Sequence, residues 1–354
     1  MAHAARTVYF VVPDAVDDPG RVSGGNIYDQ HVRDGLRSIG WDVRMVVIPE
    51  GSVPARILSE VPDEAVALVD GLVAERMPEE VAANSSRLRI VMLAHMLPGL
   101  SEASLVAASA EHEPEAPIRA AKRIITTSDW TRSELISQGL AEPGHVVVAH
   151  PGSDPVAATV ASQSGTGLLS VGVVSQHKGQ DVLVRALGQL TDVGDWTCTI
   201  VGSLDAAPAF VDELTRAIRR THLTKRVTFT GILTGSRLER AYSEADLIVL
   251  PSRSESYGMV VAEALARGIP VLASRVGGIP EALSSNSAGM LVPSDDPWAL
   301  EVVLRQWWAS PERRTELKAA AMDARELARP WSATVAIVAS TLDEVALTEA
   351  AVSA

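Results

Sequence analysis

The sequence of 354 residues is long enough for two domains of average size, each with its own hydrophobic core. Hydrophobic residues make up 47% of the chain and aromatic residues only 4%, so we expect cores built from aliphatic side chains. The formal net charge of −13 disfavours a nucleic-acid partner, because the phosphates would be repelled. The single cysteine, Cys198, excludes an intrachain disulfide, and a reducing cytoplasm is the expected location.

The apolar segments are all shorter than the roughly 20 residues that a membrane-spanning helix needs. Residues 1–7 lead directly into a strand-like segment, so we expect no signal peptide. We therefore expect no membrane span, while peripheral membrane contact and homodimer formation stay open.

In the first half of the chain, short β-branched runs alternate with helix-like segments, as in a buried parallel sheet. Residues 26–39 repeat apolar side chains at helical spacing, and Gly40 follows at the expected helix end. The repeats of strand and helix predict a doubly wound, Rossmann-like α/β domain. The predicted strands are Val8 to Val12, Val43 to Ile48, Ala67 to Val69, Arg89 to Ala94, Ile124 to Thr127 and Val146 to Ala149.

Residues 151–167 are rich in Pro, Gly, Ser, Ala and Thr, which is the composition of a linker. The alternating pattern restarts beyond them, so we predict one domain over residues 1–153 and a second Rossmann-like domain over residues 154–330. The pattern predicts an amphipathic helix from Trp331 to Leu347, and residues 331–354 would then cross back to the first domain. The elements predicted in the second domain are strands Leu168 to Val171, Thr197 to Val201, Val227 to Thr230, Leu247 to Leu250 and Val271 to Ala273, and helices near Gln180 to Leu190 and Pro208 to Thr221.

Ligands of open α/β sheets bind beyond the carboxyl ends of the strands. After the first strand, Gly24 and Gly25 precede a predicted helix, where backbone amides could meet a phosphate or a sugar. A flexible turn with Asn26 as the helix N-cap explains the same residues equally well. His95 directly follows a strand and could donate to a phosphate or hydroxyl, although a structural histidine is the better interpretation of His95 alone.

Lys178 is one of only four lysines and lies one residue before Gly179 at a predicted helix start. There it would add a point charge to a helix dipole that already favours an anion. A merely solvated lysine at that position is slightly unfavourable because of the same dipole. The position therefore favours phosphate binding.

The stretch from Glu255 to Glu263 is the most informative segment. A helix is predicted to begin at about Gly258, so the amides of Gly258, Met259 and Val260 would form a free helix N-terminus suited to a diphosphate. Glu255 precedes this helix start and Glu263 lies within the helix, so the two carboxylates flank the anion site and can accept hydrogen bonds from hydroxyls.

Apolar residues surround Glu263 in the sequence, so we expect its carboxylate to have a partner. After the next predicted strand, Gly277 and Gly278 permit close backbone approach to a ligand, and a plain turn is an equally good explanation.

These residues resemble the retaining glycosyltransferases of family 4, whose GT-B fold has two Rossmann-like doubly wound parallel-sheet domains facing across a cleft. The most specific part of the resemblance is the Glu-x7-Glu motif, Glu255 to Glu263, followed by Ala264-Leu265-Ala266-Arg267-Gly268-Ile269-Pro270-Val271. The segment Gly277-Gly278-Ile279-Pro280-Glu281 supports it, and the likeness extends over most of the chain.

The resemblance implies that Glu263 holds the ribose of a nucleotide-sugar donor and that Glu255 holds hydroxyls of the transferred hexose. Lys178 would bind the diphosphate and His95 would lie over the donor sugar, which makes His95, Lys178 and Glu255 the candidate catalytic residues. The segment Pro151-Gly152-Ser153-Asp154 resembles the family's domain crossover. The other donor-binding positions that the resemblance implies are Gly24, Gly25, Tyr257, Gly258, Met259, Val260, Gly277 and Gly278.

One position departs from the pattern, because many members of the family carry arginine where this chain has Val173. The phosphate clamp would then rest on Lys178 and the helix amides. The resemblance implies no cofactor besides the nucleotide-sugar co-substrate and no metal, in agreement with the absence of an Asp-x-Asp motif. It also implies retention of anomeric configuration without a carboxylate nucleophile.

The expected reaction is hexose transfer from a nucleotide-diphosphate sugar, a UDP-sugar ahead of a GDP-sugar, to a hydroxyl of a small-molecule or glycan acceptor. Residues 1–153 contain 13 Lys or Arg and 21 Asp or Glu, a net charge of −8 that favours a soluble or cationic acceptor over an anionic lipid. The alternatives are a nucleotide-sugar 2-epimerase and a non-catalytic nucleotide-sugar-binding protein. A dehydrogenase fits less well, because the first strand lacks a compact dinucleotide fingerprint.

Overall fold

The computed structural model describes residues 6–49, 51, 56–97, 115–160, 162, 164–283 and 287–347. The chain divides into two compact units. The first comprises residues 1–18, 24–152 and 331–354, and the second comprises residues 19–23 and 153–330. The chain therefore passes from one unit to the other between Gly152 and Ser153, next to the boundary predicted after residue 153.

The first unit contains a six-stranded parallel sheet, in the order β2-β1-β3-β4-β5-β6 among the described residues. Its strands are β1 (Thr7–Pro13), β2 (Asp42–Ile48), β3 (Val66–Asp70), β4 (Arg89–Ala94), β5 (Arg123–Thr126) and β6 (Val146–Val148). Its helices include α1 (Gly24–Ser38), α2 (Gly71–Arg76), α3 (Pro78–Asn84), α4 (Ala116–Ala120), α5 (Asp129–Ser137) and, from the end of the chain, α13 (Trp331–Leu347).

The second unit contains another six-stranded parallel sheet, in the order β12-β11-β10-β7-β8-β9 in the part of the chain described. Its strands are β7 (Gly167–Val171), β8 (Thr197–Val201), β9 (Val227–Gly231), β10 (Leu247–Leu250), β11 (Val271–Ser274) and β12 (Gly289–Val292). Its helices include α6 (Gln180–Gly188), α7 (Pro208–Arg220), α8 (Gly235–Ser243), α9 (Met259–Ala266), α10 (Ile279–Ala282), α11 (Pro297–Ala309) and α12 (Pro311–Glu326).

Both sheets are doubly wound, which confirms the predicted fold class. In each, the chain starts on an inner strand, winds to one edge and then returns to build the other side. The direction reverses between β1 and β3 in the first sheet and between β7 and β10 in the second. Loops that leave neighbouring strands at such a reversal diverge to opposite faces and leave a crevice for a ligand.

The cores are largely aliphatic, as the composition predicts, and strand β3 is buried at every position. Two indoles in the second unit are exceptions: Trp196 is 1% exposed and Trp307 is 0% exposed. Each buried indole N–H finds an acceptor, since Trp196 donates to the Leu190 carbonyl and Trp307 to the Gly165 carbonyl. This pairing removes the cost of burying a polar N–H group.

Helix α1 begins two residues earlier than predicted, so Gly24 and Gly25 form its first turn instead of a preceding loop. Asn26 is consequently inside the helix, and the N-cap interpretation is wrong. Its side-chain amide instead donates to the Ala15 carbonyl at 3.0 Å. Strand β12 was not predicted from the sequence.

The predicted linker is not a free segment over its second half. The Thr159 amide donates to the Arg267 carbonyl at 2.8 Å, and the Ser162 hydroxyl donates to Asp246 at 2.6 Å. Asp246 is 2% exposed, and a buried carboxylate needs such donors. The small polar residues that resemble a flexible linker therefore bind the chain to the second unit.

Helix α13 packs against α1 within the first unit. A Cβ atom at Gly35 would lie only 2.3 Å from Val335 Cγ2, so the two helices touch where α1 has no side chain. The Thr334 hydroxyl also donates to the His150 carbonyl at 2.6 Å. Among the described residues, no helix has both the length and the apolar character needed to cross a membrane.

The substitution Gly35→Ala should destabilise the first unit. Alanine favours an isolated helix by about 1 kcal/mol over glycine, but overpacking against Val335 should cost about 1–3 kcal/mol. We expect a lower midpoint of thermal unfolding for Gly35→Ala and no comparable loss for Gly144→Ala, where nothing lies within 4 Å of the added Cβ. The cost should shrink in a Val335→Ala background; an equal cost there would show that this contact is not its cause.

Candidate functional site

Lys178 and Glu255 meet at the reversal point of the second sheet. Lys178 follows β7 and Glu255 follows β10, and these parallel strands are neighbours. The Lys178 ammonium donates to Glu255 Oε1 at 2.6 Å, and the Ser252 hydroxyl donates to the same oxygen at 3.0 Å. The side chains of Lys178 and Glu255 are 23% and 15% exposed, so the pair is accessible but partly shielded from water. Two residues predicted to bind one ligand therefore contact each other directly.

Backbone contacts hold the loops of this pair together. Gly179 has φ +69°, and a Cβ there would lie 2.1 Å from the Pro251 carbonyl oxygen, so glycine is required by both conformation and space. The Arg253 amide donates to the His177 carbonyl at 2.7 Å. The Arg253 guanidinium binds both carboxylate oxygens of Asp181, at 2.8 and 2.9 Å. Such a bidentate pair fixes the relative position of the loops.

The N-terminus of α9 begins immediately beyond Glu255. Gly258 is its N-cap and has φ +92°, and the first amide to bond back to the Gly258 carbonyl is that of Val261, at 2.8 Å. The amides of Met259 and Val260 belong to the first turn, whose N–H groups lack partners within the helix. The helix start predicted at about Gly258 is thus correct within one residue, and it presents backbone donors beside Glu255.

Glu263 lies further along α9 and has the partner that its apolar surroundings led us to expect. The Tyr242 hydroxyl donates to Glu263 Oε2 at 2.5 Å. Burial raises the pKa of Glu263, while the Tyr242 hydrogen bond and the nearby Arg267 oppose that rise. The Arg267 guanidinium lies 4.2 Å from the centre of the Tyr242 ring and pairs with Glu239.

The glycine pair Gly277 and Gly278 supports the Glu255 loop. A Cβ at Gly277, where φ is +52°, would lie 1.6 Å from the Glu255 carbonyl oxygen, and a Cβ at Gly278 would lie 2.3 Å from the Ser256 carbonyl oxygen. The Gly278 amide donates to the Glu255 carbonyl at 3.1 Å. These glycines therefore allow two segments of the chain to approach each other closely. Their predicted contact with a nucleotide-sugar donor stays a prediction. Tyr257 is in the same loop, and burial raises its pKa to about 12.

His95 and Gly25 are neighbours in the first unit. His95 directly follows β4, as predicted, and a Cβ at Gly25 would lie 3.4 Å from His95 Cδ2. The His95 side chain is only 7% exposed, and its Nε2 atom lies 2.8 Å from Asp29 Oδ1 and 3.2 Å from Asp70 Oδ2. The structural interpretation of this histidine is thus partly correct, because one ring nitrogen is engaged by carboxylates. A ligand could meet only the Nδ1 side of the ring.

Sequence reasoning missed four residues of these clusters. Asp29 and Asp70 bind His95, while Ser252 and Tyr242 bind the two glutamates. Asp70 could have been found, because it ends a strand just before a glycine. Asp29 and Tyr242 lie inside helices, where spacing does not reveal a long-range partner.

The segment that contains Lys178, Glu255 and Glu263 is similar to known glycosyltransferases. Residues 160–323 match the family model of glycosyl transferases group 1. Among curated proteins, D-inositol 3-phosphate glycosyltransferase from Mycolicibacterium gilvum is 33% identical over 250 residues, which are 65% of this chain and 55% of that protein. The chain thus spans about half the length of this relative.

Solved structures match nearly the whole chain. A sucrose-phosphate synthase from Thermosynechococcus elongatus gives a TM-score of 0.77 at 20% identity and covers 96% of this chain and 99% of its own. The Anabaena protein HepE, solved with UDP and glucose, gives a TM-score of 0.75 at 19% identity and covers 96% and 100%. At these identities the likeness concerns the fold, and it confirms the expected GT-B type with two Rossmann-like domains.

The substitution Gly277→Ala should disrupt the Glu255 loop. Alanine at φ +52° is strained, and its Cβ would overlap the Glu255 carbonyl oxygen, for an added cost of about 1–3 kcal/mol. The matched control is Gly235→Ala, where φ is +54° but nothing lies within 4 Å. Thermal unfolding should show a larger loss for Gly277→Ala. If the two variants lose the same stability, the effect of Gly277→Ala comes from the backbone angle φ alone.

Proposed function

We propose that this protein is a retaining glycosyltransferase that moves a hexose from a nucleotide-diphosphate sugar to a hydroxyl group of a small acceptor. The observation that carries the proposal is the contact of Lys178 with Glu255 beside the free N-terminus of α9. The match of residues 160–323 to glycosyl transferases group 1 supports it, since that segment contains all three features. The names of the curated relatives support glycosyl transfer as well.

In this proposal the diphosphate binds at the start of α9. The amides of Met259 and Val260 and the helix dipole supply fixed partial positive charge, and Lys178 supplies a full charge. Within the described part of the chain, the Lys178 ammonium and the Ser252 hydroxyl both donate to Oε1 of Glu255. A hydroxyl of the hexose would then donate to Oε2, which places the sugar next to its departing diphosphate.

Glu263 would hold the ribose in the same way. The Tyr242 hydroxyl occupies Oε2, so a ribose hydroxyl would donate to Oε1. A hydrogen bond to the ionised form lowers the pKa of a carboxyl group. Donor binding would therefore counter the pKa rise that burial imposes on Glu263.

The proposed chemistry needs no protein carboxylate as nucleophile. The bond between the anomeric carbon and the diphosphate breaks, the acceptor hydroxyl bonds to the same face, and its proton passes to the departing diphosphate. Lys178 and the α9 amides stabilise the negative charge that develops on that leaving group. We propose that the reaction proceeds without a metal ion, because this cation and these amides can neutralise the charge.

A UDP-hexose is the first donor to test, since HepE was solved with UDP and glucose. Inositol 3-phosphate is the first acceptor to test, because it appears in the names of the curated relatives. The acidic balance of residues 1–153 favours a soluble or cationic acceptor over an anionic lipid. Uncharged polyols should therefore be tested in parallel.

The substitution Lys178→Ala should lower kcat by about 100- to 1,000-fold, the loss seen when one group that stabilises a developing oxyanion is removed. Release of UDP and formation of the sugar product should be followed together. Lys225→Ala is the matched control, because Lys225 is an exposed lysine of the same unit. Wild-type turnover in Lys178→Ala would refute the assignment of Lys178.

A thermal-shift screen with UDP-, GDP- and ADP-sugars should identify the donor. A ligand at 100 times its dissociation constant stabilises the native state by about 2.7 kcal/mol, and Glu263→Gln should reduce that gain. No stabilisation by any nucleotide sugar would contradict the proposal. Isomerisation of the donor without an acceptor would indicate a 2-epimerase, and binding without reaction would indicate a sensor.

A further inference from the structure

A buried cluster of two carboxylates and one imidazole lies at the reversal point of the first sheet. Asp29 is on α1, Asp70 ends β3 and His95 follows the neighbouring strand β4. The side chains of Asp29, Asp70 and His95 are 0%, 2% and 7% exposed. His95 Nε2 lies within hydrogen-bond distance of both carboxylates, at 2.8 and 3.2 Å.

The two carboxylates differ in what else they bind. Asp70 Oδ1 accepts from the Val73 amide at 2.9 Å and so caps helix α2. Asp29 Oδ2 is buried, and no residue of the described chain gives it a hydrogen bond. The charge of Asp29 is thus compensated through His95, and loss of that positive charge would leave a buried, unpaired carboxylate.

The charges around the ring favour a retained proton. Burial lowers the pKa of His95, but Asp29 and Asp70 more than compensate and raise it to about 10. Burial raises the pKa of Asp29, His95 opposes that rise, and the neighbouring Asp70 carboxylate adds to it. The other titratable group against the ring is Tyr28, edge-on with the ring centres 5.3 Å apart. Its hydroxyl donates to the Ala149 carbonyl, and burial raises its pKa far above neutrality, so it adds no charge.

The protonation state decides what the other ring nitrogen can do. A neutral imidazole that donates from Nε2 to a carboxylate has only a lone pair at Nδ1. An imidazolium that donates from Nε2 has an N–H at Nδ1 as well, and is a donor on both sides. By setting the protonation state, the two carboxylates decide whether Nδ1 of His95 is a hydrogen-bond acceptor or a charged donor.

We propose that Asp29 and Asp70 are positioning residues that fix the His95 ring and keep it protonated, so that Nδ1–H is a permanent hydrogen-bond donor to a substrate hydroxyl bound at the reversal point of the first sheet. The identity of that substrate rests on the proposed glycosyl transfer. The protonation of His95 does not, so the two can be tested separately.

The direct test is the pH titration of the His95 ring nitrogens by NMR in protein labelled with ¹⁵N-histidine, with the signal assigned through His95→Gln. We expect wild-type His95 to stay doubly protonated from about pH 6 to about pH 9, whereas an ordinary histidine titrates near 6.5. Asp70→Asn keeps an oxygen for the Val73 amide but removes the charge, and should lower the His95 pKa by at least about one unit. The control Asp34→Asn, an exposed carboxylate of α1, should leave it unchanged.

Activity gives the second readout. Asp70→Asn should lower kcat by at least about tenfold with little change in KM, and its activity should fall as pH rises through the lowered His95 pKa while the wild type stays flat. A protonated His95 in a protein without sugar transfer would refute the proposed function and leave the carboxylate clamp standing.

Three results would overturn the clamp. The first is a wild-type His95 that is neutral at pH 7.5, which can be measured even if the aspartate variants fail to fold. The second is an Asp70→Asn variant with unchanged His95 pKa and pH profile. The third is a stoichiometric metal ion that His95→Gln removes, because the ligating ring nitrogen would then carry no proton.

Discussion

The ion pair between Lys178 and Glu255 joins the loops that leave strands β7 and β10, and the geometry of the second unit's candidate site depends on it. Without its partner, the partly buried charge of either Lys178 or Glu255 would destabilise the fold. The Glu255 carboxylate neutralises the Lys178 ammonium, so this cation can lie beside the free amides of α9 without being repelled by their partial positive charge. A diphosphate oxygen would share the Lys178 ammonium with Glu255, so the cation is already in position before the ligand binds.

Close packing without side chains makes this pair possible. Gly179 lies against the Pro251 carbonyl, and Gly277 lies against the Glu255 carbonyl, both at positive φ. Any other residue would push the loops apart by the width of a Cβ atom. The first unit differs at the same architectural position, since its reversal point holds two carboxylates around His95, whereas the second unit pairs one carboxylate with Lys178.

The sequence predicted the doubly wound fold and most strands because buried parallel strands are continuous apolar runs, a local property. It also indicated Lys178, Glu255 and the start of α9, because each lies in the connection that follows a strand. It did not reveal that Tyr242 binds Glu263 from another helix, or that Asp29 binds His95 from 66 residues away. Those contacts follow from three-dimensional packing. For the glycine pairs, the sequence indicated close approach but not whether the neighbour is a ligand or the chain.

Because Val173 stands where the family resemblance implies an arginine, Lys178 is the central cation of the proposed phosphate clamp. Arg253 is the next cation in these loops, but its guanidinium is bound to Asp181 and Asp295. A lysine suits the remaining task, because its ammonium has three donors that can be shared between Glu255 and a phosphate oxygen. The charge that stabilises the departing diphosphate would then be the same charge that binds Glu255 and orders these loops, which couples the stability of the loops to the chemistry.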